Sequence, residues 1–151
     1  MRFIIIFIIY FLFIFPLQLT FADEFVMLKN SKVNVRYGPS FEYPIKYVYL
    51  KKNLPIKVID KKENFRRIII DHKHNSGWIH TSQLKKSSSV ILTENQFIFT
   101  KPTKFSEPVA IAEKGKLILV NKCKKNWCKT SVKDISGWML FDRFWGKLPS
   151  N

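Results

Sequence analysis

Val33-Asn34-Val35-Arg36-Tyr37-Gly38-Pro39-Ser40, followed after strand-like stretches by Ser76-Gly77-Trp78-Ile79, decides the fold, because the chain plays this pattern twice. Residues 97–140 replay it more loosely and close on Ser136-Gly137-Trp138-Met139. Glu42-Tyr43-Pro44-Ile45 answers Ser106-Glu107-Pro108-Val109, and Asn64-Phe65 answers Asn126-Trp127. The separation drifts from 64 to 62 to 60 residues, as it does when two copies differ by short loop deletions. Self-similarity at this period means two copies of one small unit. A tandem of tiny β units points to binding before catalysis.

The local pattern agrees. After residue 22 nothing repeats at helical spacing; short β-branched and aromatic runs alternate with polar or Gly/Pro-marked breaks. Strands are predicted at 25–28, 33–36, 45–50, 56–59, 65–70 and 78–79, with a charged turn over 60–64 and a single helical turn near Gln83-Leu84. Gly77 is expected to free the backbone just before Trp78. The second copy supplies strands at 90–92, 97–99, 109–112, 117–120, 127–132 and 138–140. Five or six short strands in each copy give an all-β chain. The boundaries follow: a first domain over 23–85, a polar linker over 86–89 and a second, degenerate domain over 90–148.

Residues 1–22 are a separate object. Arg2 is the only charge before the thirteen apolar residues Phe3 to Phe15, Pro16 breaks the run, and Thr20-Phe21-Ala22 places small residues where a signal peptidase reads them. This is the grammar of a signal peptide cut after Ala22, with an exported, periplasmic protein as the expectation. The rival is an uncleaved anchor, although thirteen residues fall short of the ~20 a spanning helix needs. Membrane contact is expected only through this segment, if it is not cut.

Each copy is small enough that it buries only about 60% of its unfolded surface, so staples help. Cys123 and Cys128 flank Lys124-Lys125-Asn126-Trp127, a polar turn between two strand-like runs, and a disulfide across that hairpin is the expectation for an exported chain. Two free thiols are the alternative. A Cys-x4-Cys pair with no further Cys or His nearby lacks zinc spacing. His72, His74 and His80 offer two ligands on one face but no third at a fixed distance, so no metal and no cofactor is expected. Cys128 has no His in its copy to activate it, and no Gly-x-Ser-x-Gly, phosphate loop or His-Glu-x-x-His is present. Catalytic residues: none expected.

The chain carries 26 Lys and Arg against 11 Asp and Glu, a net charge of +15. That excess favours anionic partners. The basic residues are spread along the chain, and Ile, Lys, Asn and Phe are all abundant, so composition alone also accounts for part of it. Export argues against nucleic acid. Contact residues are sought around the loop of the first copy, where Tyr37, Phe41, Tyr43, Tyr47 and Tyr49 supply flat rings. Tyr37 and Tyr43 sit beside Gly38-Pro39 and Pro44, and they lead that set. Tyr47 and Tyr49 also suit a core-facing strand. Arg36 would fork onto a ligand carboxylate or, as readily, hold the loop through backbone carbonyls. Trp78, Trp127 and Trp138 are expected as structural anchors, Trp78 and Trp138 in the core, with Gly38, Pro39, Gly77 and Gly137 shaping the turns.

The set Asn34, Val35, Arg36, Gly38, Pro39, Ser40, Phe65, Gly77 and Trp78 resembles the bacterial SH3-like domain family. The arrangement is similar to exported alphaproteobacterial-type proteins that carry two such domains, whose second copy has a Cys, a polar turn and a Trp-Cys pair, matched here by Cys123 and Trp127-Cys128. In Phe97-Ile98-Phe99-Thr100-Lys101-Pro102 the second copy lacks both the Arg and the Gly. The resemblance implies two tandem SH3-like β-barrels acting as recognition modules, in some relatives for cell-wall peptidoglycan. The expected function is therefore non-catalytic binding of a cell-wall or other envelope component by a monomer. The alternative is a periplasmic scaffold that docks proline-rich or acidic segments of an envelope protein.

Overall fold

The computed structural model describes residues 24–70, 75–132 and 134–148. The proposed signal peptide, its cut after Ala22, and His72 and His74 lie outside them. The first unit contains β1 (Glu24–Leu28), β2 (Val33–Arg36), β3 (Ile45–Tyr49), β4 (Pro55–Lys62), β5 (Phe65–Ile69), β6 (Gly77–His80), a 3-10 turn (Thr81–Gln83) and β7 (Leu84–Lys86). The second contains β8 (Ser89–Leu92), β9 (Gln96–Phe99), β10 (Pro108–Ala112), β11 (Leu117–Lys124), β12 (Trp127–Val132), β13 (Ile135–Leu140) and β14 (Phe144–Gly146). Each unit is one seven-stranded antiparallel sheet, in the orders β3-β2-β6-β5-β4-β1-β7 and β10-β9-β13-β12-β11-β8-β14. The second order is the first with every strand replaced by its counterpart. Two SH3-like β-barrels in tandem are the architecture.

The repeat extends to single hydrogen bonds. The Tyr37 N–H donates to the Pro44 carbonyl and the Thr100 N–H to the Glu107 carbonyl; Thr81 donates to Asn64 O and Phe141 to Asn126 O. Bulges fall between Val58 and Asp60 in β4 and between Val120 and Lys122 in β11. Asn53 and Gly115, both at positive φ, donate to the carbonyls of Leu28 and Leu92. The charged stretch 60–64 is mostly strand: β4 runs to Lys62, and Glu63, at φ 47°, turns the chain back within two residues. Its counterpart Lys125, at φ 58°, does the same between β11 and β12. Tight hairpins of this kind need positive φ to match the twist of the strands.

Leu28, Val33, Val35, Ile56, Ile68 and Ile79 fill the first core; Val90, Leu92, Ile98, Ile118, Cys128 and Met139 fill the second. Gly77 and Gly137 point inward with them, and their role differs from the expected backbone release. A Cβ on Gly77 would stand 2.3 Å from Val35 Cγ1, and one on Gly137 would stand 2.5 Å from Ile98 Cγ2 and 2.7 Å from the Phe99 carbonyl oxygen. Close approach of neighbouring strands, not an unusual φ, requires glycine here. Alternation then sends Trp78 and Trp138 outward, half-buried, while Ile79 and Met139 take the core positions. The expectation that these tryptophans anchor the core is therefore corrected. Trp127 also faces outward, half-buried, with its ring edge on Phe99 at 5.6 Å.

Cys123 and Cys128 are bonded as a disulfide, directly opposed on β11 and β12, with Cys128 fully buried. At the matching place in the first barrel stand Lys61 and Arg66. Closing so short a loop contributes roughly 2 kcal/mol on the chain-entropy argument. The predicted linker 86–89 shortens to two residues outside the strands: β7 ends at Lys86, β8 begins at Ser89, and Ser87 and Ser88 stand between them. Ser89 donates its hydroxyl to the Asn53 carbonyl at 2.6 Å, Val120 donates its N–H to Ser88, and Phe25 meets Trp145 edge-on at 5.3 Å. The barrels touch.

Candidate functional site

Val33 and Val35 are buried, so the pleat of β2 turns Asn34 and Arg36 to the outer face. Phe65 and His80 are register partners on β5 and β6, and their rings meet at 5.1 Å. The loop 37–44 folds back over this face and lays Phe41 against both, 5.2 Å from Phe65 and 5.0 Å from His80. Arg36 holds that loop in place. Its Nη1 donates to the carbonyls of Phe41 (3.0 Å) and Tyr43 (2.7 Å), and its guanidinium carbon lies 5.5 Å from the Phe41 ring centre. The turn is tightened by Gly38, where a Cβ would sit 2.6 Å from the ring of Tyr43. Pro39, beside it, is half-buried in the same bend.

A cavity of about 220 Å³ results, lined by Lys32, Asn34, Arg36, Phe41, Phe65, His80 and Gln83. Two of these are cations and none is acidic. His80 is fixed by Ser82, whose hydroxyl lies 2.8 Å from Nδ1, and Gln83 accepts a hydrogen bond from Asn30 at 2.8 Å. Fixed rings with basic groups at the rim suit a ligand that has an apolar body and a carboxylate or other anionic end.

Of the residues sought as ligand contacts in the sequence, Arg36 and Phe41 line this cavity. Tyr37 is 62% exposed, with Lys46 Nζ 5.5 Å from its ring, and Tyr43 is 47% exposed above Gly38. Tyr47 packs partly on the core and donates its hydroxyl to the Asn75 carbonyl at 2.8 Å. Tyr49 lies against Tyr47, and burial first, then the hydrogen bond and charge of Tyr47, push its hydroxyl well above the usual tyrosine range. Lys32, Asn34, Phe65 and Gln83 were missed as contacts, and His80 was weighed only as a metal ligand. The alternation Val33-Asn34-Val35-Arg36 already carried the signal for Asn34 beside Arg36.

The same position in the second barrel has other chemistry. Phe99 pairs with Trp138 as Arg36 pairs with Trp78, and Trp127 pairs with Leu140 as Phe65 pairs with His80. Phe97 replaces Asn34, and its ring lies 6.0 Å from Phe99. Where Asn30 bonds Gln83, Glu94 forms an ion pair with Arg143. The face is apolar where the first is basic. Among the described residues, no three His, Cys, Asp or Glu side chains gather as a metal site would require.

No curated protein matches this chain. Among solved structures, NlpC2 from Trichomonas vaginalis aligns at 11% identity with a TM-score of 0.38, covering 83% of this chain and 49% of that one. NlpC1 from Trichomonas vaginalis aligns at 12% identity with a TM-score of 0.37, covering 83% and 46%. The chain thus spans about half the length of either protein. Residues 29–86 match the family model described as bacterial SH3 domain, a span that takes in β2 to β7 and the whole lined cavity. The first barrel, over residues 29–86, thus matches the bacterial SH3 domain family.

Proposed function

We propose that this chain is a non-catalytic binding protein of the bacterial cell envelope, exported to the periplasm, whose first barrel grips a short anionic segment of the cell wall. The cavity between loop 37–44 and β6 carries this reading: Phe41 and Phe65 offer flat walls, and Lys32 and Arg36 offer positive charge. Stem peptides of peptidoglycan combine small apolar side chains with carboxylate ends and fit that chemistry. The signal-peptide grammar of residues 1–22 and the family of the first barrel support the setting.

Co-sedimentation of residues 23–151, which contain every described strand, with protein-free sacculi tests the proposal. Binding should persist to about 0.5 M salt, where surface attraction between separated charges is screened. It should weaken roughly tenfold in Phe41→Ala, which removes a stacking wall worth about 1 kcal/mol or more. Tyr37→Ala, which lies outside the cavity, should bind as the parent does. Binding that vanishes as salt rises and ignores Phe41→Ala would assign the attraction to net charge alone. Absence of binding at every salt concentration would put the docking of acidic or proline-rich protein segments in first place.

A further inference from the structure

Loss of the arginine in the second barrel has a consequence for the loop beside it. With Phe99 in place of Arg36, no guanidinium among the described residues reaches across to hold residues 100–107. Ser106 does so instead: its hydroxyl lies 3.0 Å from the Lys101 carbonyl and 2.9 Å from that of Thr103, and it accepts the Lys101 N–H. The Phe105 N–H donates to Thr103 Oγ1 at 3.3 Å. The loop is therefore well tied, and it holds Phe105 100% exposed. In the first barrel's loop Phe41, 63% exposed, lies against Phe65 and His80.

The edge strand that follows the loop carries further exposed apolar residues. Val109 and Ile111 on edge strand β10 are 45% and 58% exposed, and Phe97, the register partner of Ile111, is 51% exposed. Contiguous exposed apolar groups of this kind mark an interaction surface. The rim is basic. Lys101 and Lys104 are exposed on the loop on either side of Thr103, and Lys129 is exposed opposite Trp138; Glu107 is the single acid in the loop. A second copy of the chain is a poor occupant, since a two-fold contact would set this lysine rim against itself. An apolar projection ringed by lysines matches a bilayer interface, where rings enter the acyl boundary and ammonium groups meet headgroup phosphates.

We propose that the second barrel docks on an anionic lipid surface, with Phe105 inserted beneath the headgroups and Lys101 and Lys104 on their phosphates. The site is separate from the cavity of the first barrel and does not depend on the ligand proposed there.

Residues 23–151, free of the apolar segment 3–15, would be sedimented with vesicles of phosphatidylcholine alone and with about one-third phosphatidylglycerol. Binding is expected only to the anionic vesicles. Phe105→Ser should weaken it roughly tenfold, and Lys101→Gln with Lys104→Gln by a similar factor. A ring that is wholly exposed contributes little to folding, and an unchanged circular dichroism spectrum confirms that the variant is intact. Lack of binding to either vesicle overturns the proposal. So does binding that salt abolishes but Phe105→Ser leaves unchanged, since net charge then suffices. A concentration-dependent dimer that Phe105→Ser dissolves, without vesicle binding, would assign the surface to a second copy.

Discussion

The two barrels share strand order, bulges and hairpin tips, yet they solve the same two problems differently. To hold the loop after the second strand, the first barrel spends Arg36 on the carbonyls of Phe41 and Tyr43, and the second uses Ser106. To hold the sheet, the first buries Ile68 where the second buries Thr130, whose hydroxyl has no partner among the described residues. The second then adds the Cys123–Cys128 bond where the first has Lys61 and Arg66. Duplication preserved the scaffold and released the outer face, because register and core fix the backbone while outward positions are free to change.

The sharpest way to break this comparison is at the inward glycines. Gly137→Ala forces a methyl group against a backbone carbonyl at 2.7 Å, whereas in Gly77→Ala the short contact is with Val35 Cγ1 and the backbone oxygen stands off at 3.2 Å. A side chain can shift; a sheet carbonyl does so only by disturbing its ladder. Urea unfolding should show a loss of about 3 kcal/mol for Gly137→Ala and about 1–2 kcal/mol for Gly77→Ala. Equal losses would mean that β9 and β2 yield alike, and the distinction would fall. Next in size is the staple. Replacing Cys123 and Cys128 together by alanine should lower stability by about 2 kcal/mol, read in the unfolding of the second barrel. The smallest effect has the opposite sign. Thr130→Val removes a buried hydroxyl that lacks a partner and should stabilise by about 1 kcal/mol in the same titration. A loss instead would show that the hydroxyl is satisfied in solution.

Much of this was legible in the sequence. The repeat, the all-β class, most strand positions and the cysteine pair could be read because each depends on local pattern or on spacing. The facing of Trp78 could not. In Gly77-Trp78-Ile79 two apolar residues sit side by side, so alternation offers no parity, and the choice was made by Val35, which needs the space at Gly77. The cavity was only half visible. Asn34 and Arg36 lie two apart on one strand, but His80 and Phe65 arrive from β6 and β5, and Phe41 from a loop whose course depends on hydrogen bonds from Arg36. Long-range pairing of this sort leaves no mark at any one position. Tyr37 and Tyr43 had the right chemistry and the right loop, but they lie outside the cavity because Tyr43 covers Gly38.

The junction between the barrels carries one more consequence. Relative swinging of two domains needs slack chain and a seam that parts easily. Here the slack is two residues, and the seam is crossed by the Ser89–Asn53 hydrogen bond and the edge-on rings of Phe25 and Trp145. Ile91 and Leu117 of the second barrel also pack on the core of the first. Rotating either barrel would break these contacts together, so the cavity and the exposed loop keep a set bearing on each other, like the two arms of a bracket. Whatever fastens one arm thereby aims the other.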